Sequence, residues 1–174
     1  GYRSPTGATR LSLDEGLHML QTWDGLVAGH NIICYDLPVL AKLRGITLPF
    51  PRVRDTLTLS RLLYPEIKDQ DWKLVRSGKA KPGPWLGTHK LAAWGIRLGN
   101  HKGDYGQREE AWAAWSPDMQ TYCEQDVRVT CSLWRHLMTK SPSPRSVELE
   151  HEFQRVIFHQ EQTGFPFDEA RAHA

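Results

Sequence analysis

Two short stretches of this chain carry residue types suited to phosphodiester chemistry. In the first, His30-Asn31-Ile32-Ile33-Cys34-Tyr35-Asp36 follows the apolar run Leu26-Val27-Ala28. In the second, Tyr122-Cys123-Glu124-Gln125-Asp126 lies inside a long helical pattern. Tyr122 and Asp126 are at i and i+4 and share a helix face. A carboxylate there can hold a hard cation while a phenol one turn away orients a metal-bound water. Asp36 follows a buried strand, and the C-terminal ends of strands are where open α/β sheets present functional groups. Asn31 and Tyr35 suit a hydrogen bond to a substrate phosphate, or a brace for the Asp36 carboxylate. Taken singly, each motif has a plainer account. Asp36 then caps the next helix, and Asp126 is a surface acid beside a half-buried ring. Together, in this order and each on the expected element, they favour half of a two-metal site.

The elements that must position these residues are legible from local signals. Residues 1–10 are irregular. Ser12 and Glu15 stand at capping-box spacing, and Leu13, Leu17 and Leu20 mark one helical face up to about Trp23. Leu26–Gly29 reads as a short strand. Asp36-Leu37-Pro38 opens a helix that Gly45 ends, with proline in the first turn where its missing N–H costs little. Val53-Arg54-Asp55-Thr56 reads as a second strand, followed by a helix over residues 57–63 that stops at Tyr64-Pro65. Residues 66–88 show no periodicity and hold Gly78, Pro82, Gly83, Pro84 and Gly87, so they read as a long surface loop. A helix follows over residues 89–98, and Ser116-Pro117-Asp118 starts the longest one, to about Met138. Ser141-Pro142-Ser143-Pro144 reads as a linker before an amphipathic helix from about Ser146 to Thr163, and Asp168 suits the cap of one more. The alternation of strand and helix argues for α/β, although two strands are few for such a layer.

Bulk properties narrow the class. The 174 residues suffice for one core and a piece of a second. A net charge of +2 does not by itself indicate nucleic acid. Cys34, Cys123 and Cys131 form no metal-type CxxC spacing, and so sparse a count suits free thiols in a reducing compartment. No apolar run approaches the ~20 residues of a membrane span, and no signal peptide is evident, so a cytoplasmic location is expected. Trp94, Trp112, Trp115 and Trp134 read as core or helix-packing residues, and His151 and His159 as surface or packing histidines. The 66–88 segment interleaves Lys68, Lys73, Arg76, Lys79 and Lys81 with Trp72 and Trp85. Cations that pair with phosphate and rings that stack on bases make a single-strand groove. The plainer account is a solvated insertion, because Glu66, Asp69 and Asp71 offset part of the charge.

These motifs resemble the 3′–5′ proofreading exonuclease domain of family A DNA polymerases, of the replicative type found in short-tailed bacteriophages. The resemblance rests on His30-Asn31, Tyr35-Asp36-Leu37-Pro38-Val39-Leu40, Asp55-Thr56-Leu57 and Ser60-Arg61-Leu62-Leu63. It continues through Leu74-Val75-Arg76-Ser77-Gly78-Lys79, Ala93-Trp94-Gly95-Ile96-Arg97-Leu98-Gly99, Lys102-Gly103-Asp104-Tyr105 and Tyr122 with Asp126-Val127. Gln160-Glu161 and Gly164-Phe165-Pro166-Phe167-Asp168 resemble the approach to the polymerase portion. The resemblance implies a ribonuclease-H-like α/β fold over residues 1–140, a linker at 141–146, and the start of a polymerase portion at 147–174. It implies two ions, Mg²⁺ or Mn²⁺, that activate a water for hydrolysis of the terminal phosphodiester of DNA. Asp36 would bind one ion and Asp126 the other, Tyr122 would orient the water, and Asn31 would lie beside the substrate strand. DNA with a single-stranded 3′ end and the remainder of a polymerase chain are the implied partners.

The chain departs from that pattern at one place. An Asp and a Glu two apart on an opening strand are expected, and no Asp-x-Glu occurs in these residues. Asp14-Glu15 are adjacent and read as helix-start residues, and Asp69-Gln70-Asp71 reads as loop. The first two strands and most of the third of the resembled fold are therefore expected to be missing. An exposed apolar edge beside the remaining strands and an impaired nuclease are the further expectations.

Overall fold

The computed structural model describes residues 11–100, 105 and 113–172; the irregular 1–10 stretch, Lys102-Gly103-Asp104 and Trp112 lie outside them. The order of elements is α1 (Leu13–Thr22), β1 (Val27–Gly29), α2 (Asp36–Arg44), a 3-10 turn (Phe50–Arg52), β2 (Val53–Asp55), α3 (Thr56–Leu63), α4 (Ile67–Arg76), α5 (Leu91–Arg97), α6 (Pro117–Met138), α7 (Pro144–Thr163) and α8 (Glu169–Ala172). β1 and β2 pair in parallel, Val27 opposite Val53 and Gly29 opposite Asp55. A parallel pair needs a crossover, and α2 supplies it. The result is a mixed, mainly helical body with a small parallel sheet.

Local chemistry sets many of the helix ends. Ser12 Oγ accepts from the Glu15 N–H at 3.3 Å while the Glu15 carboxylate accepts from the Ser12 N–H at 2.8 Å. Ser116 Oγ accepts from the Met119 N–H at 3.1 Å, and Pro117 occupies the first helical position of α6. Gly45 closes α2 at φ 64°, a left-handed conformation that glycine adopts without a Cβ clash.

Two apolar clusters hold the body together. The larger is helical: Leu59, Tyr64, Ile67, Trp94, Leu133, Leu137 and Val147 are buried together, with Trp134 packed at its margin. The smaller lies under the sheet, where Ile32, Ile33 and Val53 meet Val27, Leu37 and Phe50. β1 itself contains no buried residue, and Trp23 and Leu26 beside it are 55% and 52% exposed.

Three expectations are corrected. Residues 66–88 are not all loop, because α4 occupies Ile67–Arg76. Ile67 and Asp71, one turn apart, are both buried, and Gly78 at φ 72° ends the helix with the Lys79 N–H donating to the Leu74 carbonyl at 3.0 Å. A charged residue at a core position hid the periodicity. Trp85 is not a base-stacking ring: it is buried, its Nε1–H donates to the Lys81 carbonyl at 3.0 Å, and its face covers the Arg97 guanidinium. Trp115 is 71% exposed rather than packed. Among the described residues no helix is long and apolar enough to cross a membrane.

Candidate functional site

Asp55, at the end of β2, organises the turn that carries the first motif. Its carboxylate accepts from the Asn31 N–H at 2.9 Å, the Ile33 N–H at 3.2 Å and the Leu57 N–H at 2.8 Å. It therefore caps α3 and holds the 30–35 turn to the sheet. Asn31 adopts φ 64°, a conformation in which Asn is enriched. Gly29 lets the turn fold back closely, since a Cβ there would meet Ile32 Cβ at 2.8 Å.

His151 ties this frame to α7 from far along the chain. Its Nδ1–H donates to the Val147 carbonyl at 2.7 Å, and its Nε2 accepts from the Asp55 N–H at 2.7 Å. Only the neutral ring makes both bonds, because a protonated imidazole has no acceptor. Burial holds the His151 pKa below the ordinary imidazole value, with Arg54 acting in the same direction and Asp55 and Glu150 opposing it. The sign of the pH effect follows. The unfolded chain takes up this proton below pH ~6.5 while the folded chain resists it. Stability is then full above pH ~6.5 and falls on acidification, by up to about 1.4 kcal/mol per pH unit for this one group. Urea midpoints measured across that range are expected to drop on the acid side, and the His151→Gln chain to show a shallower slope. A midpoint that holds steady or rises on acidification would contradict this account.

The turn and α6 meet at one cavity of about 320 Å³, lined by residues that include Gly29, His30, Asp36, Asp126, Thr130 and Cys131. The two carboxylates thus face a shared space from different elements, Asp36 from the start of α2 and Asp126 from α6. Asp36 is exposed at the rim, and the protein packed about its carboxyl raises its pKa, with the charge of Asp55 adding to the rise. Carboxylate oxygens suit Mg²⁺ or Mn²⁺ in donor type. In donor number they fall short, because no group of three or more His, Cys, Asp or Glu able to hold a metal exists among the described residues.

The other candidates are spread around this cavity. Asn31 lines an adjoining cavity of about 390 Å³ with His30, Arg61, His89 and Lys90. Tyr122 is one helical turn before Asp126, half-buried, with its ring 5.6 Å from that of Tyr105; it is not among the residues that line the carboxylate cavity. Tyr35 is 66% exposed and lines neither. Lys73, Arg76 and Lys79 are exposed at and just beyond the end of α4 and line neither cavity. Asp69 and Asp71 are on α4, and Asp71 is engaged by Arg97 through Nε at 2.7 Å and Nη2 at 2.8 Å, so this spaced pair makes no metal site. Sequence reasoning assigns no role at the site to Asp55, His89 or His151: Asp55 reads as the end of a strand, His89 as the start of a helix and His151 as a surface or packing histidine. The only local signal was Asp55-Thr56 at a helix start.

A parallel sheet that presents acidic side chains beyond its strand ends defines an α/β domain with a carboxylate-lined cleft. Over 83% of its length this chain is similar to DNA-directed DNA polymerase of Escherichia phage T7, at 37% identity across 183 aligned positions. The corresponding polymerase of Enterobacteria phage T3 matches at the same identity and coverage. The resemblance to the phage DNA polymerases that the motifs pointed to is thus carried by most of the chain, which spans 26% of the length of either phage protein. No family model matches the chain.

Proposed function

We propose that this domain is the 3′–5′ exonuclease region of a phage-type DNA polymerase, with a ribonuclease-H-like fold. The observation that supports this most directly is the shared cavity of Asp36 and Asp126, in a chain similar to the phage polymerases. Asp36 and Asp126 would hold divalent cations, Mg²⁺ or Mn²⁺, which when bound lower the pKa of a water and neutralise charge on the phosphate. Tyr122, one turn before Asp126 and outside the cavity lining, would orient the attacking water, and Asn31 and Tyr35 would lie along the strand. Lys73, Arg76 and Lys79 pair with phosphates further from its 3′ end, and the remaining domains of a polymerase chain complete the assembly. Two carboxylates supply too little negative charge for a pair of hard cations. These 174 residues are accordingly proposed to trim DNA slowly or not at all.

Mn²⁺ titration followed by paramagnetic broadening of amide signals tests the assignment. Broadening is expected at His30–Asp36 and around Asp126, and to vanish in Asp36→Asn and Asp126→Asn. Signals that stay sharp on both elements would refute the shared-cation reading. Vigorous Mg²⁺-dependent trimming by the chain alone would refute the impairment.

A second reading, a non-catalytic module that grips single-stranded DNA, is favoured by the exposed Lys73, Arg76 and Lys79 at and just beyond the end of α4. Both readings use the basic end of α4. Alanine at Lys73, Arg76 and Lys79 together is expected to lower the salt slope of single-strand binding by about 2, at ~0.7 per phosphate contact. A slope that does not change would dismiss this groove.

A further inference from the structure

The cavity next to the carboxylates has a different character. It measures about 390 Å³ and is lined by His30, Asn31, Leu57, Arg61, Thr88, His89, Lys90 and Leu91. No carboxylate lines it, and His30 and Leu91 are common to both cavities, so the two are contiguous. Among the described residues neither Arg61 nor Lys90 has an ion-pair partner. Two cations with no counter-charge beside a hollow of this size suit an anion.

The two histidines at the hollow are fixed from behind. Trp94 Nε1–H, which can only donate, gives its hydrogen to Ser60 Oγ at 2.8 Å. Ser60 is fully buried, and its Oγ lies 2.6 Å from His89 Nδ1. A buried hydroxyl hydrogen left unbonded is costly, so Ser60 donates to Nδ1 and the ring carries its own proton on Nε2. Burial, and then Arg97 and Arg61, hold the His89 pKa below the ordinary value, which keeps this tautomer neutral. Thr56 fixes the other tautomer of His30, with the proton on Nδ1. Its hydroxyl donates to the Gly29 carbonyl at 3.2 Å and accepts from His30 Nδ1–H at 3.0 Å. His89, with its proton on Nε2, therefore lines the same hollow as the exposed side chains of Arg61 and Lys90, with Leu57 and Leu91 as the apolar part of the lining.

We infer that this hollow is a phosphate subsite for a single DNA strand, seating a phosphodiester next to the one that enters the carboxylate cavity, with Arg61 and His89 as positioning residues. The inference rests on the nuclease reading for the identity of the strand, and on the cavity itself for the anion.

Binding of a short oligothymidylate to the whole chain, measured by fluorescence anisotropy over a range of salt, tests it. Arg61→Gln is expected to weaken binding about tenfold and to lower the salt slope by about 0.7. His89→Gln is expected to weaken binding less and to leave the slope unchanged, because His89 is a neutral donor. Chemical-shift mapping with thymidine 5′-monophosphate and with thymidine is the second arm. The nucleotide should shift the amides of Thr88–Leu91 and the nucleoside should not. Far-ultraviolet circular dichroism verifies that both variants fold. If oligothymidylate binds and both variants bind it as well as the parent does, the subsite is wrong while the nuclease reading stands. If Mn²⁺ leaves the carboxylate cavity untouched but the nucleotide still shifts Thr88–Leu91, the nuclease reading fails while the anion subsite survives.

Discussion

Asp71→Ala is expected to lower the stability of the folded chain by about 3–5 kcal/mol, the range for stripping one partner from a buried ion pair. Asp71 is fully buried and the Arg97 side chain is 6% exposed. The carboxylate accepts two bonds from the guanidinium and a third from the Gly87 N–H at 2.8 Å. Arg97 Nη2 also donates to the Thr88 carbonyl at 2.7 Å, and the guanidinium lies 5.5 Å from the Trp85 ring centroid and 4.9 Å from that of Trp94. One pair therefore fastens α4, α5 and the loop between them, which includes the Thr88–His89 wall. Alanine leaves a guanidinium buried without its counter-charge, and that uncompensated charge dominates the loss. Replacing both partners, as Asp71→Leu with Arg97→Met, is expected to recover most of it, because an apolar pair has no charge to desolvate. Urea unfolding of the three chains checks this. A single Asp71→Ala change costing under about 1 kcal/mol would mean that the pair is solvated.

Asp55→Ala is the other substitution with a large expected effect, also about 3 kcal/mol or more. Each bond to a charged acceptor contributes roughly 1.5–3 kcal/mol, and alanine removes three while leaving Asn31, Ile33 and Leu57 N–H groups without that acceptor. The loss falls on the turn that aims Asp36, so the carboxylate cavity should loosen before the helical core does. Hydrogen exchange resolves the two. Amides of residues 31–37 are expected to lose protection more than those of Leu133 and Leu137, which belong to the helical cluster. Asp55→Asn retains one acceptor oxygen and should fall between. Equal loss of protection throughout the chain would show that the turn is not a separable unit.

Much of the secondary structure was legible in the amino-acid sequence because its causes are local. The Ser12–Glu15 box, the glycine that stops α2, the Ser116-Pro117 start of α6 and the two short strands all depend on residues within a few positions of one another. The pairing of Asp36 with Asp126 across one cavity was anticipated from the order and type of two motifs, and the similarity to the phage polymerases from those motifs with the segments between them. What the tertiary structure decided lies with polar side chains whose partners are distant in sequence. Asp71 reads as solvated until Arg97, 26 residues on, neutralises it inside the core, and only then does α4 become an amphipathic helix rather than a loop. His151 reads as a lone surface or packing histidine until the Asp55 N–H, 96 residues away, gives its second nitrogen a bond. Trp85 and Trp115 are the same residue type, yet one shields a guanidinium and the other stands in solvent. The physical reason is common to these cases. Burying a charge or a polar group costs free energy unless a partner meets it, and whether that partner arrives is a property of the folded chain, not of any window along it.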